Sequence, residues 1–318
     1  MLKNSLKKKA RTSLLTICSI AFCFAILGLS PTPPACADDI IINLREESLN
    51  SYFKLISEFD NDPLKIKHIP FQKYKRGPIE IAIIIKALRL GGLTDEIKFK
   101  VIPNSNRQIK DTADGKSVIC GQQLPISFVE MNNCFDKVFM SAPITNYGEF
   151  QKLFYYLPEN HKMKNITFEK LKNKTKGAIG IDWYSDITVF NAIGITNYIT
   201  GQTTLSVIKM LKAGRADWVP IVVHNTDDFS TVTEGVKLIP VQGLKFALPE
   251  TRHFFISRKH PMGKEVYAAL QKGLKILREN YFLRDALYAT GFFTPRIDSW
   301  EMLNADQIEH HTVPHMEK

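Results

Sequence analysis

Gly177-Ala178-Ile179-Gly180-Ile181 runs directly into Asp182-Trp183-Tyr184-Ser185-Asp186. A compact apolar run of small and β-branched residues reads as a buried strand, and the acids and aromatics behind it mark the turn where that strand hands over to a helix. The helix has about ten residues and ends near Gly194, a stop of the usual glycine kind. The alternation repeats downstream. Residues 198–200 form a strand, Thr203-Thr204 caps a helix with Leu205, Ile208 and Leu211 on one face, and Gly214 stops it. Residues 218–223 are the next strand, residues 245–257 hold the last one, and Val266, Leu270, Leu274 and Leu277 give a helical stripe.

Upstream, residues 40–45 are a buried strand, while residues 48–76 are mixed and basic and give no readable pattern. Gly77-Pro78 opens an apolar stretch closed by Gly91-Gly92, which frames a helix, although Ile83-Ile84-Ile85 favours a strand. Residues 97–102, 118–120, 138–144 and 150–157 read as strands, and 168–172 as a short helix. Short strands alternating with helices point to an α/β fold with mostly parallel sheets. A chain of 318 residues has room for two such sheets. Ligands of this class sit beyond the carboxyl ends of the strands. That rule singles out Arg45, Gly121-Gln122-Gln123, Asp182-Trp183-Tyr184 and His224-Asn225.

The chain has 44% hydrophobic and 23% charged residues, which excludes a disordered tail, a collagen-like fibre and a polytopic membrane protein. Its 42 Lys and Arg against 32 Asp and Glu are unevenly spread. Lys3, Lys7, Lys8, Lys9 and Arg11 precede an apolar run from Leu14 to Leu29, then Ser30-Pro31-Thr32-Pro33-Pro34 and Ala35-Cys36-Ala37. This is the plan of a secretory signal peptide over residues 1–37, cleaved after Ala37. Its apolar run, about 16 residues, is short for a membrane span. Without it, 37 bases remain against 32 acids, a mild bias that argues against a nucleic-acid partner. Pro33-Pro34-Ala35 before Cys36 lacks the aliphatic residue of a lipobox, so the expected location is the periplasm, with no membrane insertion after cleavage.

The mature chain keeps two cysteines, Cys120 and Cys134. An even pair in an oxidising compartment is expected to form a disulfide, the alternative being two buried free thiols.

Gly180-Ile181-Asp182-Trp183, then Met210-Leu211-Lys212-Ala213-Gly214-Arg215-Ala216-Asp217, then Phe254-Phe255-Ile256-Ser257-Arg258-Lys259-His260-Pro261 leading to Leu274-Lys275-Ile276-Leu277, resemble the type 2 periplasmic solute-binding proteins in order and spacing. These are the amino-acid-type substrate-binding proteins of ABC transporters. The resemblance covers residues 38 to about 290. It implies a two-lobed type 2 periplasmic binding protein fold with a hinge of two crossing strands, near residues 141–145 and 241–244. Lobe 1 would be 38–142 plus 243–318, and lobe 2 would be 143–242. In amino-acid-binding members the strand after the "GRxD" element ends in an acid that holds the ligand amine. Here residues 218–224 contain none, which argues against a plain α-amino acid ligand.

The expected ligand-binding residues are Arg45, Gln122, Gln123, Tyr147, Asp182, Trp183, Tyr184 and Tyr198. Arg45 offers a fork for a carboxylate or phosphate, or else pairs with Glu46 or Glu47. Gln122 and Gln123 would hydrogen-bond a polar ligand or serve a turn. Trp183 and Tyr184 present stacking faces, or pack between lobes. Ser185 or Asp186 would cap the following helix. The two acids Asp182 and Asp186 favour a cation, a sugar or a polar neutral group over an anion. Asp217 is assigned to holding Arg215 or a loop amide. Tyr147 and Tyr198 fall at cleft edges or in the core. His310, His311 and His315 lie in a polar tail with no fixed scaffold, so no metal site and no cofactor is expected.

The expected function is binding of a small polar solute and its delivery to an inner-membrane transporter or a sensor, by a monomer without catalysis. The alternative is a dehydratase-like enzyme on the same scaffold, which needs an acid of raised pKa in the cleft. The first measurable consequence is the mature terminus: intact mass of the protein from a periplasmic fraction should correspond to a chain starting at Asp38. A chain retaining Met1 in washed membranes would refute the cleavage site.

Overall fold

The computed structural model describes residues 39–71, 73–224 and 226–309. The predicted leader, Asn225 and the tail histidines lie outside the described residues. Two sheets organise the chain. The first has five strands in the order Ile97–Val101, Ile40–Leu44, Ile119–Cys120, Phe255–Ser257, Val138–Met140. Its first three strands are parallel, and Phe255–Ser257 runs antiparallel to both of its neighbours.

The second sheet is built on Gln151–Tyr156, which pairs antiparallel with Val219–Val222, Val236–Pro240 and Leu244–Ala247. The hairpin strand Thr231–Thr233 and the short Glu301–Met302 complete its edges. Gly177–Gly180 and Tyr198–Gly201 form a parallel pair. It joins the sheet beside Trp218, whose carbonyl accepts from the Ala178 amide at 2.8 Å. The expectation of mostly parallel sheets therefore holds for the first sheet's N-terminal strands and fails for the second. An apolar run reads the same whichever way its neighbour points.

The first sheet is backed by the helices Arg76–Leu90 and Gly263–Glu279. Residues 78–88 of the former are buried without interruption, so its apolar surface goes all the way round. This is why its β-branched run resembled a strand. Gly91 and Gly273 bring these two helices together: a Cβ on Gly273 would collide with the Ala87 carbonyl, and one on Gly91 with that of Ala269. Glu46–Ser57 and Phe282–Ala289 are helices that the sequence reading did not separate from their surroundings. Across the described residues, no helix is long and apolar enough to cross a membrane.

Two stretches run side by side between the sheets. The Ile144 amide donates to the Arg252 carbonyl at 2.8 Å and the Arg252 amide returns to Thr145 at 3.1 Å. Residues 244–247, close to where the return crossing was expected, hydrogen-bond as a strand of the second sheet.

The expected Cys120–Cys134 bridge is absent, and both cysteines are free and buried. They belong to one apolar cluster with Ile109, Val129 and Phe255. Cys120 Sγ lies 3.3 Å from Thr112 Oγ1, and Cys134 Sγ donates to the Asn132 carbonyl at 3.1 Å. Burial pushes the Cys120 thiol up to about 12, which withholds the thiolate that disulfide formation requires. Thiol titration of unreduced, denatured mature protein should find two thiols per chain, and finding none would overturn this assignment.

Candidate ligand-binding cleft

Arg45, Gln122, Asp182, Trp183 and Tyr184 all line one cavity of about 330 Å³. Each follows the carboxyl end of a strand: Ile40–Leu44, Ile119–Cys120 and Gly177–Gly180. The Asp182–Tyr184 corner is shaped from below. A Cβ at Gly180 would collide with the Trp183 indole, so glycine leaves the ring its place. Trp183 is the residue ahead of the helix Tyr184–Ala192, and no side chain caps that helix. Neither Ser185 nor Asp186 therefore serves as the expected cap.

Asp186 is committed elsewhere. It is 2% exposed, and Lys152 on the central strand of the second sheet donates to both its oxygens, at 2.8 and 2.7 Å. The same ammonium stands 4.8 Å from the centre of the Trp183 ring. Burial pushes the Asp186 carboxyl up and the Lys152 ammonium down, and each partner's charge opposes the shift. The repulsion expected from two acids at this corner is thereby halved. Asp182 remains, its carboxyl raised by burial and accepting from Asn106 Nδ2 at 3.3 Å.

Further contacts clasp the corner to the other side of the cavity. Phe128 and Tyr184 meet edge to face with centroids 5.9 Å apart. Glu250 accepts from Ser127 Oγ at 2.8 Å and also from the Ser185 hydroxyl. Arg45 pairs with neither Glu46 nor Glu47; the described partner of Glu47 is Lys75, at 3.4 Å. Gln122 Nε2 donates to Ser105 Oγ at 2.7 Å.

Three expected site residues do not reach this cavity. Gln123 is fully buried and serves the crossing segments: its side-chain oxygen accepts from Thr145 Oγ1 at 3.0 Å and its carbonyl from Arg252 Nη2 at 3.1 Å. Tyr147 lines a separate cavity of about 790 Å³ and donates to the Gln307 carbonyl at 3.4 Å. Tyr198 packs against Phe190, with ring centroids 6.3 Å apart. Asp217 holds the Lys176 amide at 2.9 Å, together with Lys162 at 2.5 Å, and not Arg215. Across the described residues, no group of three His, Cys, Asp or Glu side chains is placed to hold a metal.

Arg76, Lys152, Glu250 and Arg252 also line the cavity and were missed in the sequence. Arg76 lies in the unreadable stretch 48–76. A signal existed for the others: Lys152 is a lone charge leading an apolar strand, and Pro249-Glu250-Thr251-Arg252-His253 is a polar island inside a stretch that reads as apolar. A second cavity of about 410 Å³ shares Arg45, Arg76, Gln122 and Val222 with the first, and is lined too by His224. Burial, with Lys75 and Arg76 nearby, pushes the His224 ring down to about 4, so it is neutral at pH 7.

Lys152→Met should destabilise the protein by about 3–5 kcal/mol, because it leaves a buried aspartate without a counter-charge. Lys152→Met with Asp186→Leu should recover part of that loss in denaturant titration. An additive double mutant would refute the coupling.

No family model matches the chain, and no curated protein matches it. Solved structures do resemble it. The amino acid ABC transporter substrate-binding protein AbpA of Streptococcus pneumoniae, solved with L-arginine, superposes with a TM-score of 0.50 at 12% identity, covering 80% of this chain and 96% of its own. A mutant of ArgBP from T. maritima gives a TM-score of 0.49 at 15% identity, covering 78% and 93%. The periplasmic VFT2 domain of Bordetella pertussis BvgS gives 0.48 at 15% identity, covering 70% and 83%. At such identities the likeness is one of fold: this chain has the two-lobed α/β architecture of the pneumococcal binding protein.

Proposed function

We propose that the protein is an exported solute-binding protein, which closes on a small polar solute in the 330 Å³ cavity and presents it to an inner-membrane transporter or a sensor. The observation carrying this reading is the convergence of three strand ends, around residues 45, 122 and 182–184, on one polar cavity. Its volume lies at the small end of the range for small-molecule sites. The shared architecture supports the reading, since in a hinged two-lobed fold differential affinity for the closed state is sufficient to drive closure. In this proposal the hinge lies at the hydrogen-bonded pair Thr145 and Arg252, and the clasp of Asp182, Tyr184 and Glu250 is the closed-state contact.

An enzyme on the same scaffold keeps one supporting observation, the burial that raises the Asp182 carboxyl. The two readings separate on turnover, because a binding protein returns its ligand unchanged.

A thermal-shift screen over amino acids, sugars, polyamines, osmolytes and carboxylates tests the proposal. A ligand at 100 times its Kd adds about 2.7 kcal/mol of stability. The identified ligand should change the fluorescence of Trp183, and Trp183→Ala should weaken its binding by roughly 1–3 kcal/mol through loss of the aromatic wall. Trp300→Ala, which removes a ring packed on Phe229 at 5.3 Å, should leave affinity unchanged. Full affinity in Trp183→Ala with loss in Trp300→Ala would place the site elsewhere.

A further inference from the structure

The cavity's donors and acceptors are unevenly committed. On the acidic side, Asp186 takes both its hydrogen bonds from Lys152, and Glu250 takes two from Ser127 and Ser185. Asp182 is half buried and accepts from Asn106. On the basic side, two guanidinium groups retain unused donors inside the protein. Arg252 is only 7% exposed, spends Nη2 on the Gln123 carbonyl, and has a buried Nε with no acceptor. Arg76 spends Nε on Glu80 at 3.1 Å, and its Nη1 is buried with no acceptor. Both line the cavity, and both lie on one aromatic ring, with Cζ 4.3 Å (Arg252) and 5.2 Å (Arg76) from the Phe150 centroid. Arg45 lines the same cavity.

Two like charges on one ring repel, and a buried donor without an acceptor forfeits a hydrogen bond. Burial and the neighbouring Arg76 together push Arg252 down to about 10. Glu80, fully buried in an apolar helix, is the counter-charge beneath the arginines, but it pairs with Arg76 Nε, and Arg76 Nη1 and Arg252 Nε stay without an acceptor. An oxyanion meets both deficits, since a guanidinium matches carboxylate, phosphate or sulfonate geometry. Of the three carboxylates that line the cavity, Asp186 and Glu250 are committed, which leaves an ammonium only Asp182 to match it.

Resting on the proposed binding role, we infer that the ligand is a small oxyanion without a cationic group, its carboxylate, phosphate or sulfonate held by Arg76 and Arg252. Lys152 neutralises Asp186 at the opposite wall, so the corner that looked hostile to anions does not repel one. Glu80 acts as the positioning residue that keeps the Arg76 fork oriented.

The test is a thermal-shift and tryptophan-fluorescence titration of the mature chain in low-salt buffer at pH 7. The probes are malonate, succinate, glutarate, inorganic phosphate, glycerol phosphate and sulfoacetate, set against malonamide, succinamide, glycerol, glutamine, arginine and putrescine. At least one anion should bind, at least tenfold more tightly than its neutral counterpart, and the carboxylate, phosphate and sulfonate arms identify the head group. Arg76→Gln and Arg252→Gln should each weaken that anion at least tenfold. Arg252→Lys, which keeps the charge and removes the fork, guards against misfolding and should also weaken it. Lys275→Gln, on an exposed helix face, should not. Tighter binding of a neutral, zwitterionic or cationic probe overturns this inference and leaves the binding role standing. Absence of binding by every probe of every charge class overturns both.

Discussion

A lysine sealed against an aspartate governs the rest of the cleft. Lys152 reaches from the middle strand of the second sheet to Asp186 in the first turn of the helix Tyr184–Ala192, and both are almost wholly out of water. Breaking such a pair leaves a bare charge in a low-dielectric interior, which is why one partner cannot change alone. The pair also orients what surrounds it. The lysine ammonium lies over the Trp183 indole, and the helix that Asp186 anchors begins with Tyr184 and Ser185, the residues that touch Phe128 and Glu250. The position of the corner and its charge balance thus follow from one contact.

The first sheet has a matching device. A helix buried on all sides carries a single acid, Glu80, to the end where Arg76 enters the cleft. A carboxylate in such a place raises its own pKa through burial, and the arginines around it oppose that rise. The cost of placing charge there is offset only by keeping opposite charges adjacent, so acid and bases form one unit. Arg252 belongs to that unit through its side chain and to the crossing segments through its backbone. Anything bound by Arg252 is therefore bound at the hinge we propose, where a small displacement has the longest lever on the two sheets.

The cysteine pair illustrates a limit of compositional reasoning. Two cysteines in a chain expected to be exported suggest a bridge on compartment grounds, yet the pair sits in an apolar cluster with each sulfur occupied by a local hydrogen-bonding partner. Compartment describes what oxidation is available. Geometry and thiolate access decide whether it happens.

Residues that act through their local neighbours were legible in the sequence. The strands at 40–44, 151–156 and 177–180 announce themselves by apolar runs, that at 97–101 by its alternation with lysines, and the Thr203 cap by its hydroxyl at the start of a helical stripe. Because ligands in α/β folds gather at strand ends, Arg45, Gln122 and the Asp182–Tyr184 corner could be chosen before any contact was known. Strand direction in the second sheet, the inward placement of Gln123 and the packing of Tyr198 were not legible, since each depends on a partner far away in the chain. The same holds for the charges. A sequence displays Asp182 and Asp186 as two acids side by side, while the fold brings Lys152 from 34 positions away to cancel one of them. Only tertiary structure decides which charges in a cleft remain unanswered, because burial strengthens every pairing and every omission alike.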